Sequence, residues 1–114
     1  MKGQLSIIDL SLCDKELLNS RACIQKFLFE LCGVIYMRPY GAPVIKKFGK
    51  NELYGYSVVQ LIETSSITIH LDDKERNAFI DIFSCKTFNA KKAMDFSAKF
   101  FKSKKGKFRT IIRK

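Results

Sequence analysis

The chain has 114 residues, a mass of 13.1 kDa and 46% hydrophobic residues, which fits a single domain with a core and excludes a disordered chain. Twenty-one basic residues against eleven acidic ones give a formal charge of +10, which invites a nucleic-acid or anionic-ligand reading. Of the basic residues 16 are Lys and only 5 are Arg, and base-edge readout favours Arg forks, so the surplus reads as general surface charge.

Residues 4–12 alternate apolar and polar side chains and read as a strand. Asp14 is an N-cap candidate for a helix over 15–31, whose apolar residues Leu17, Ile24, Phe27, Leu28 and Leu31 recur on one face. Gly33 stops it, and residues 34–37 read as a second strand. Pro39, Gly41, Pro43 and Gly49 make residues 39–53 a loop. Residues 54–63 are strand-like, Thr64-Ser65-Ser66 interrupts them, and residues 67–70 resume. Residues 71–76 form a charged turn and 77–85 a strand rich in Ile and Phe. Asn89 caps a helix to about Phe101, with Ala93, Met94, Ser97, Phe100 and Phe101 facing inward. Residues 108–112 form a last strand.

The order β-α-β-β-β-β-α-β with short connections predicts an α+β fold, an antiparallel sheet with two helices on one face. Phe79 and Phe83 point one way along their strand, Ile80 and Ile82 the other, so both faces of the sheet ask for cover. A homodimer packed sheet against sheet, an α/β/β/α sandwich, is the economical solution. No apolar run approaches the ~20 residues of a membrane span, and the N-terminus leads into an alternating stretch rather than a signal core, so a cytoplasmic protein is expected.

The four cysteines (Cys13, Cys23, Cys32, Cys85) form no C-x-x-C pair, and His70 is the single histidine, so neither a metal site nor a disulfide framework is expected. Chemistry concentrates between Ser57 and Cys85. Hydroxyls at Ser57 and Ser65, the imidazole of His70 and the thiol of Cys85 sit at the ends of adjacent strands. Such groups can supply a nucleophile, a base and a proton donor. By residue type alone, turn serines and a satisfied polar histidine are the stronger reading.

The spacing resembles the bacterial-type S-adenosylmethionine decarboxylase proenzymes. In that family a strand-borne Ser precedes the self-cleaving Ser, followed by I-x-I-H, a short loop and a strand ending D-x-F-x-C. The matching residues here are Ser57, Ser65, Ile67-Thr68-Ile69-His70 and Asp81-Ile82-Phe83-Ser84-Cys85. The opening Asp9-Leu10-Ser11-Leu12-Cys13 is similar to the family's first strand, D-L-x-x-C, and the resemblance covers roughly residues 4–101. It implies a lyase that makes a pyruvoyl group from Ser65 by cleaving its own Thr64–Ser65 bond, giving chains 1–64 and 65–114. His70 resembles the proton-abstracting residue of that processing, Ser57 its hydrogen-bonding partner, and Cys85 the residue that reprotonates the substrate carbon after carbon dioxide leaves. A Schiff base to the pyruvoyl ketone would delocalise the carbanion.

Two departures stand out. Thr64 precedes the cleavage serine where the family usually has Glu, which bears on the rate of cleavage rather than its chemistry. After the histidine the family often reads T-W-P-E; here it is Leu71-Asp72-Asp73-Lys74. Phe48 or Tyr54 then stand in as the aromatic face for a sulfonium or adenine. Alternatively, Asp72, Asp73 or Asp9 offers a carboxylate to the distal cation of L-ornithine or L-arginine. Both substrate classes stay open. So do a non-catalytic relative and a basic nucleic-acid-binding module, built on Lys102 to Arg109 with Phe108 interleaved and on Arg113-Lys114, although no specific nucleic acid is expected.

Eight strand steps separate Ser57 from Ser65, roughly 26 Å if extended. Unless the segment folds back sharply, Ser57 and His70 must assist Ser65 of a partner protomer, as in the family's shared sites.

Overall fold

The alternation of apolar and polar residues becomes a six-stranded sheet in which every neighbouring pair is antiparallel. A computed structural model describes residues 2–114. Its strands are β1 (Gly3–Ser11), β2 (Val44–Phe48), β3 (Gly55–Ile62), β4 (Ser65–Asp72), β5 (Asn77–Ser84) and β6 (Lys105–Arg113), in the spatial order β2-β3-β4-β5-β1-β6. Helices α1 (Lys15–Leu18), α2 (Arg21–Val34) and α3 (Ala90–Phe100) complete the α+β fold.

One face of the sheet carries the core. Ile8 and Leu10 of β1, Ile67 and Ile69 of β4, and Ile80 and Ile82 of β5 are fully buried beneath the helices. Phe27 of α2 is the centre of an aromatic group, its ring 5.7 Å from Phe96, 5.2 Å from Phe100 and 4.7 Å from Phe101. Burying each such side chain contributes about 1.5–3 kcal/mol. Asn89 caps α3 through Lys92 N–H, as its position suggested. No helix among the described residues is long and apolar enough to cross a membrane.

Three expectations need correction. The helix over 15–31 is two helices. Asp14 caps the first, accepting from Glu16 and Leu17 N–H, and Ser20 starts the second by accepting from Cys23 N–H at 3.1 Å. A serine inside an apolar period offers the backbone a competing partner, and here it takes the cap. Residues 34–37 are not a strand: Val34 ends α2 and Tyr36 turns the chain with φ of 56°. The second strand lies instead inside the presumed loop, at β2, paired with β3.

The last strand, expected over 108–112, is present and longer at both ends. It forms edge strand β6, paired with β1 along its whole length, and its exposed Lys and Arg suit an edge that must not template further pairing.

The other face has no helix over it. Val44, Phe48, Val59, Leu61 and Phe79 project from it and are all at least 41% exposed. Its apolar character agrees with the two-faced pattern read from Phe79 and Ile80.

Candidate active site

Only Glu63 and Thr64 connect β3 to β4. Two-residue hairpins favour positive φ at the turn, and neither residue has it. The turn is held by groups distant in sequence. Glu63 N–H donates to the Arg38 carbonyl at 2.9 Å, and Cys85 N–H donates to the Thr64 carbonyl at 3.0 Å. The Ser84 hydroxyl donates to Thr64 Oγ1 at 2.8 Å, which donates to Met37 Sδ at 3.1 Å.

Ser65 opens β4 directly after this turn, paired with Ile62 on one side and Ser84 on the other. Its Oγ lies 3.6 Å from Cys85 Sγ. A hydroxyl therefore stands beside its own upstream carbonyl, whose oxygen already takes an amide N–H. A hydrogen bond in that place also favours the charge that develops on the oxygen when a nucleophile adds. Cys85 is exposed here, whereas Cys13 and Cys32 are buried; burial pushes the Cys13 thiol up to about 11.

His70 lies five residues further along β4, about 17 Å from Ser65 at strand rise. It is directly opposite Ser57 of β3, with Ser57 Oγ 3.1 Å from Nδ1. When Nδ1–H donates to Ser57, Nε2 is left with its lone pair as a base. The chain does fold back sharply between Ser57 and Ser65, contrary to the extended-strand arithmetic. The fold-back pairs Ser57 with His70, however, and leaves both at the far end of the hairpin from Ser65.

Ser57 and His70 open onto a cleft of about 450 Å3, lined also by Phe48, Asp72 and Phe79 and by Gly49, Glu52 and Leu53. The last three were legible only as loop. Gly49 adopts φ of 110° and a Cβ there would collide with the Leu53 carbonyl, so the tight turn requires glycine.

The other nominated binding residues are engaged or displaced. Asp72 accepts Asn77 N–H and Nδ2–H, both at 3.2 Å, and so clamps the β4–β5 turn. Asp73 lies 3.5 Å from Lys47 Nζ, which also donates to Asn19 and rests over the rings of Tyr54 and Tyr56 at 5.2 and 5.3 Å. Tyr54 and Asp73 thus hold the chain's own ammonium. Asp9 stands opposite Phe79 on β5 and Lys107 on β6, in a groove shared with Ile7 and Arg109.

Burial pushes the Asp81 carboxyl above its ordinary value of 3.8; nearby His70 opposes the shift and Asp9 adds to it. A raised folded pKa means that the ionised carboxylate opposes folding above that pKa, a penalty lost once pH falls below 3.8. Asp81→Asn should therefore melt above the parent near neutral pH, with the two converging at about pH 3, as read by thermal denaturation across pH.

The sequence model of the S-adenosylmethionine decarboxylase family matches residues 4–114. The chain belongs to the S-adenosylmethionine decarboxylase family. S-adenosylmethionine decarboxylase proenzymes of Caldicellulosiruptor saccharolyticus and Caldicellulosiruptor bescii are each 36% identical to it over 84 residues, 73% of this chain. The match spans 64% of the length of each of these curated relatives. A crystal structure of the adenosylmethionine decarboxylase from Aquifex aeolicus shares the fold, with a TM-score of 0.79 at 20% identity over 96% of this chain and 88% of that one. Within the S-adenosylmethionine decarboxylase family frame, the Ser65–Cys85 pair and the Ser57–His70 pair occupy opposite ends of one hairpin.

Proposed function

We propose that this chain is a self-processing, pyruvoyl-dependent decarboxylase acting on S-adenosylmethionine, a cytoplasmic enzyme of polyamine biosynthesis. One observation carries the reading: at the start of β4 the Ser65 hydroxyl lies 3.6 Å from the Cys85 thiol, directly after a Thr64 carbonyl whose oxygen is held by Cys85 N–H.

Processing proceeds through the chain's own atoms. Ser65 Oγ adds to the Thr64 carbonyl carbon, and the Ser65 nitrogen leaves as an amine, so an amide becomes an ester. Removal of the Ser65 Cα proton expels the Thr64 carboxylate and leaves dehydroalanine. Its imine tautomer takes up water and releases ammonia, giving a pyruvoyl group. The residues fit that group, because Ser65 supplies the β-leaving group that the elimination needs. The pyruvoyl ketone supplies an electron sink for decarboxylation.

The exposed Cys85 thiol, 3.6 Å from Ser65 Oγ, supports a role in returning a proton to the carbon that loses carbon dioxide. Cys85→Ala should therefore still cleave, more slowly than the parent, and lose about 10²–10⁴-fold in turnover per pyruvoyl, measured as labelled carbon dioxide released.

The proton-abstracting role needs a base beside Ser65, and His70 of the same protomer is too distant. The exposed apolar face supports a homodimer, sheet against sheet. In such a dimer Ser57 and His70 of the partner subunit would supply the groups that the hairpin of one protomer holds away from its own Ser65. Covering Phe79, Val59 and Leu61 supplies the driving force.

Phe48 and Phe79 flank the cleft beside His70 and suit a sulfonium and an adenine. The acidic alternatives for ornithine or arginine weaken, since Asp72 is tied to Asn77 and Asp73 to Lys47. The test is carbon dioxide release from carboxyl-labelled S-adenosylmethionine, L-ornithine and L-arginine. Release from the first alone is expected; release from none of the three contradicts the reading.

A further inference from the structure

We infer that Ser84 is a positioning residue for self-cleavage, acting through the side chain of Thr64. The inference rests on the self-cleavage reading above and deepens it. Its starting point is the departure at position 64, where a threonine takes the place usually held by glutamate.

Ser84 is fully buried at the end of β5. Its Oγ accepts Lys86 N–H at 2.9 Å and donates to Thr64 Oγ1 at 2.8 Å; Thr64 Oγ1 then donates to Met37 Sδ at 3.1 Å. Ser84 Oγ also lies 3.8 Å from Met37 Sδ, so the two hydroxyls and the Met37 sulfur form one closed group, anchored at its other side by the Lys86 amide. Met37 is 6% exposed, so the group ends in the core rather than in water.

The adjacent residue of β5 grips the same turn by its backbone, through Cys85 N–H to the Thr64 carbonyl. Thr64 is thus held at two points, its carbonyl oxygen and its side-chain oxygen, by two consecutive residues. Two fixed points set the rotation of the peptide plane that joins Thr64 to Ser65. That plane decides which face of the Thr64 carbonyl meets Ser65 Oγ. The turn needs such outside ties because Glu63 and Thr64 lack the backbone conformation that two-residue hairpins favour. With the Ser84 hydroxyl gone, the Thr64 side chain can rotate and the carbonyl leaves the attack geometry. Misplacement of a reacting group on this scale costs rate steeply.

The experiment follows the intact mass of freshly purified parent, Ser84→Ala, Ser84→Thr, Thr64→Val, the Thr64→Val/Ser84→Ala double variant and Ser65→Ala. The readout is the rate at which the unbroken chain becomes two fragments. Ser84→Ala and Thr64→Val should each slow cleavage at least about tenfold, and the double variant should be no slower than the slower single one. Ser84→Thr keeps the hydroxyl and should stay within about threefold of the parent, which loss of packing alone would not explain. Circular dichroism of each variant in the Ser65→Ala background checks the fold. Parent and both single variants cleaving equally fast overturns the positioning role while leaving self-cleavage intact. A parent that stays unbroken overturns both.

Discussion

Ser65→Ala should purify as one unbroken, folded chain with no decarboxylase activity above background. Alanine keeps the backbone of β4 and its pairing with Ile62 and Ser84, so the sheet has no reason to change. What it removes is the oxygen that attacks Thr64 and later leaves Cβ. Without it neither the ester nor the elimination can form, and no ketone appears. The loss is absolute rather than graded, since no other hydroxyl stands immediately after that carbonyl. Mass spectrometry and labelled carbon dioxide release read both halves of the expectation. A Ser65→Ala protein that turns over substrate at the parent rate contradicts the chemistry assigned to this hydroxyl.

His70→Ala should leave a folded chain whose processing falls by about 10²–10⁴-fold, the usual worth of a positioned proton acceptor. The informative form of this experiment mixes two defects. Ser65→Ala retains His70, and His70→Ala retains Ser65. Where a site takes Ser65 and Cys85 from one protomer and the partner's His70, a mixed dimer rebuilds one of its two sites. Co-expression should then cleave the His70→Ala chain, identified by its mass, while each variant alone stays largely unbroken. Absence of any rescue in mixed dimers would place both pairs of groups in a single protomer. The hairpin geometry argues for rescue, because His70 and Ser65 are separated by about 17 Å of β4.

The strands that carry the site were legible because they alternate cleanly. In β5 the run Ala78, Ile80, Ile82, Ser84 is buried and Phe79, Asp81, Phe83 faces the other way. Asp14 and Asn89 announced their helices because a short polar side chain before an apolar period has a specific task, the capping of open N–H groups. Ser20 went unread for the same reason in reverse: it sits where the apolar period seemed to continue. Residues 34–37 carry Val and Ile and look like a strand, yet helix α2 and the left-handed Tyr36 take them for a turn. In β2 the sequence Val44-Ile45-Lys46-Lys47-Phe48 lies between Pro43 and Gly49, and those two punctuating residues hid it.

At the site the residue types were readable and their grouping was not. Ser57, Ser65, His70 and Cys85 stood out by spacing. The turn at Glu63-Thr64 contains no glycine or asparagine, so nothing local marked it, and Thr64-Ser65-Ser66 looked like the break instead. The bonds that fix it come from Arg38, Ser84 and Cys85, all distant in sequence. The Ser57–His70 pair follows from that turn, and the Ser65–Cys85 pair from the register of β4 against β5.

Intact-mass measurement of the freshly purified parent, with and without a hydrazine, tests the central claim most directly. Two fragments split between Thr64 and Ser65, the C-terminal one carrying a carbonyl that adds the hydrazine, are the expected result. A folded chain that stays whole and gains no hydrazine adduct would contradict it.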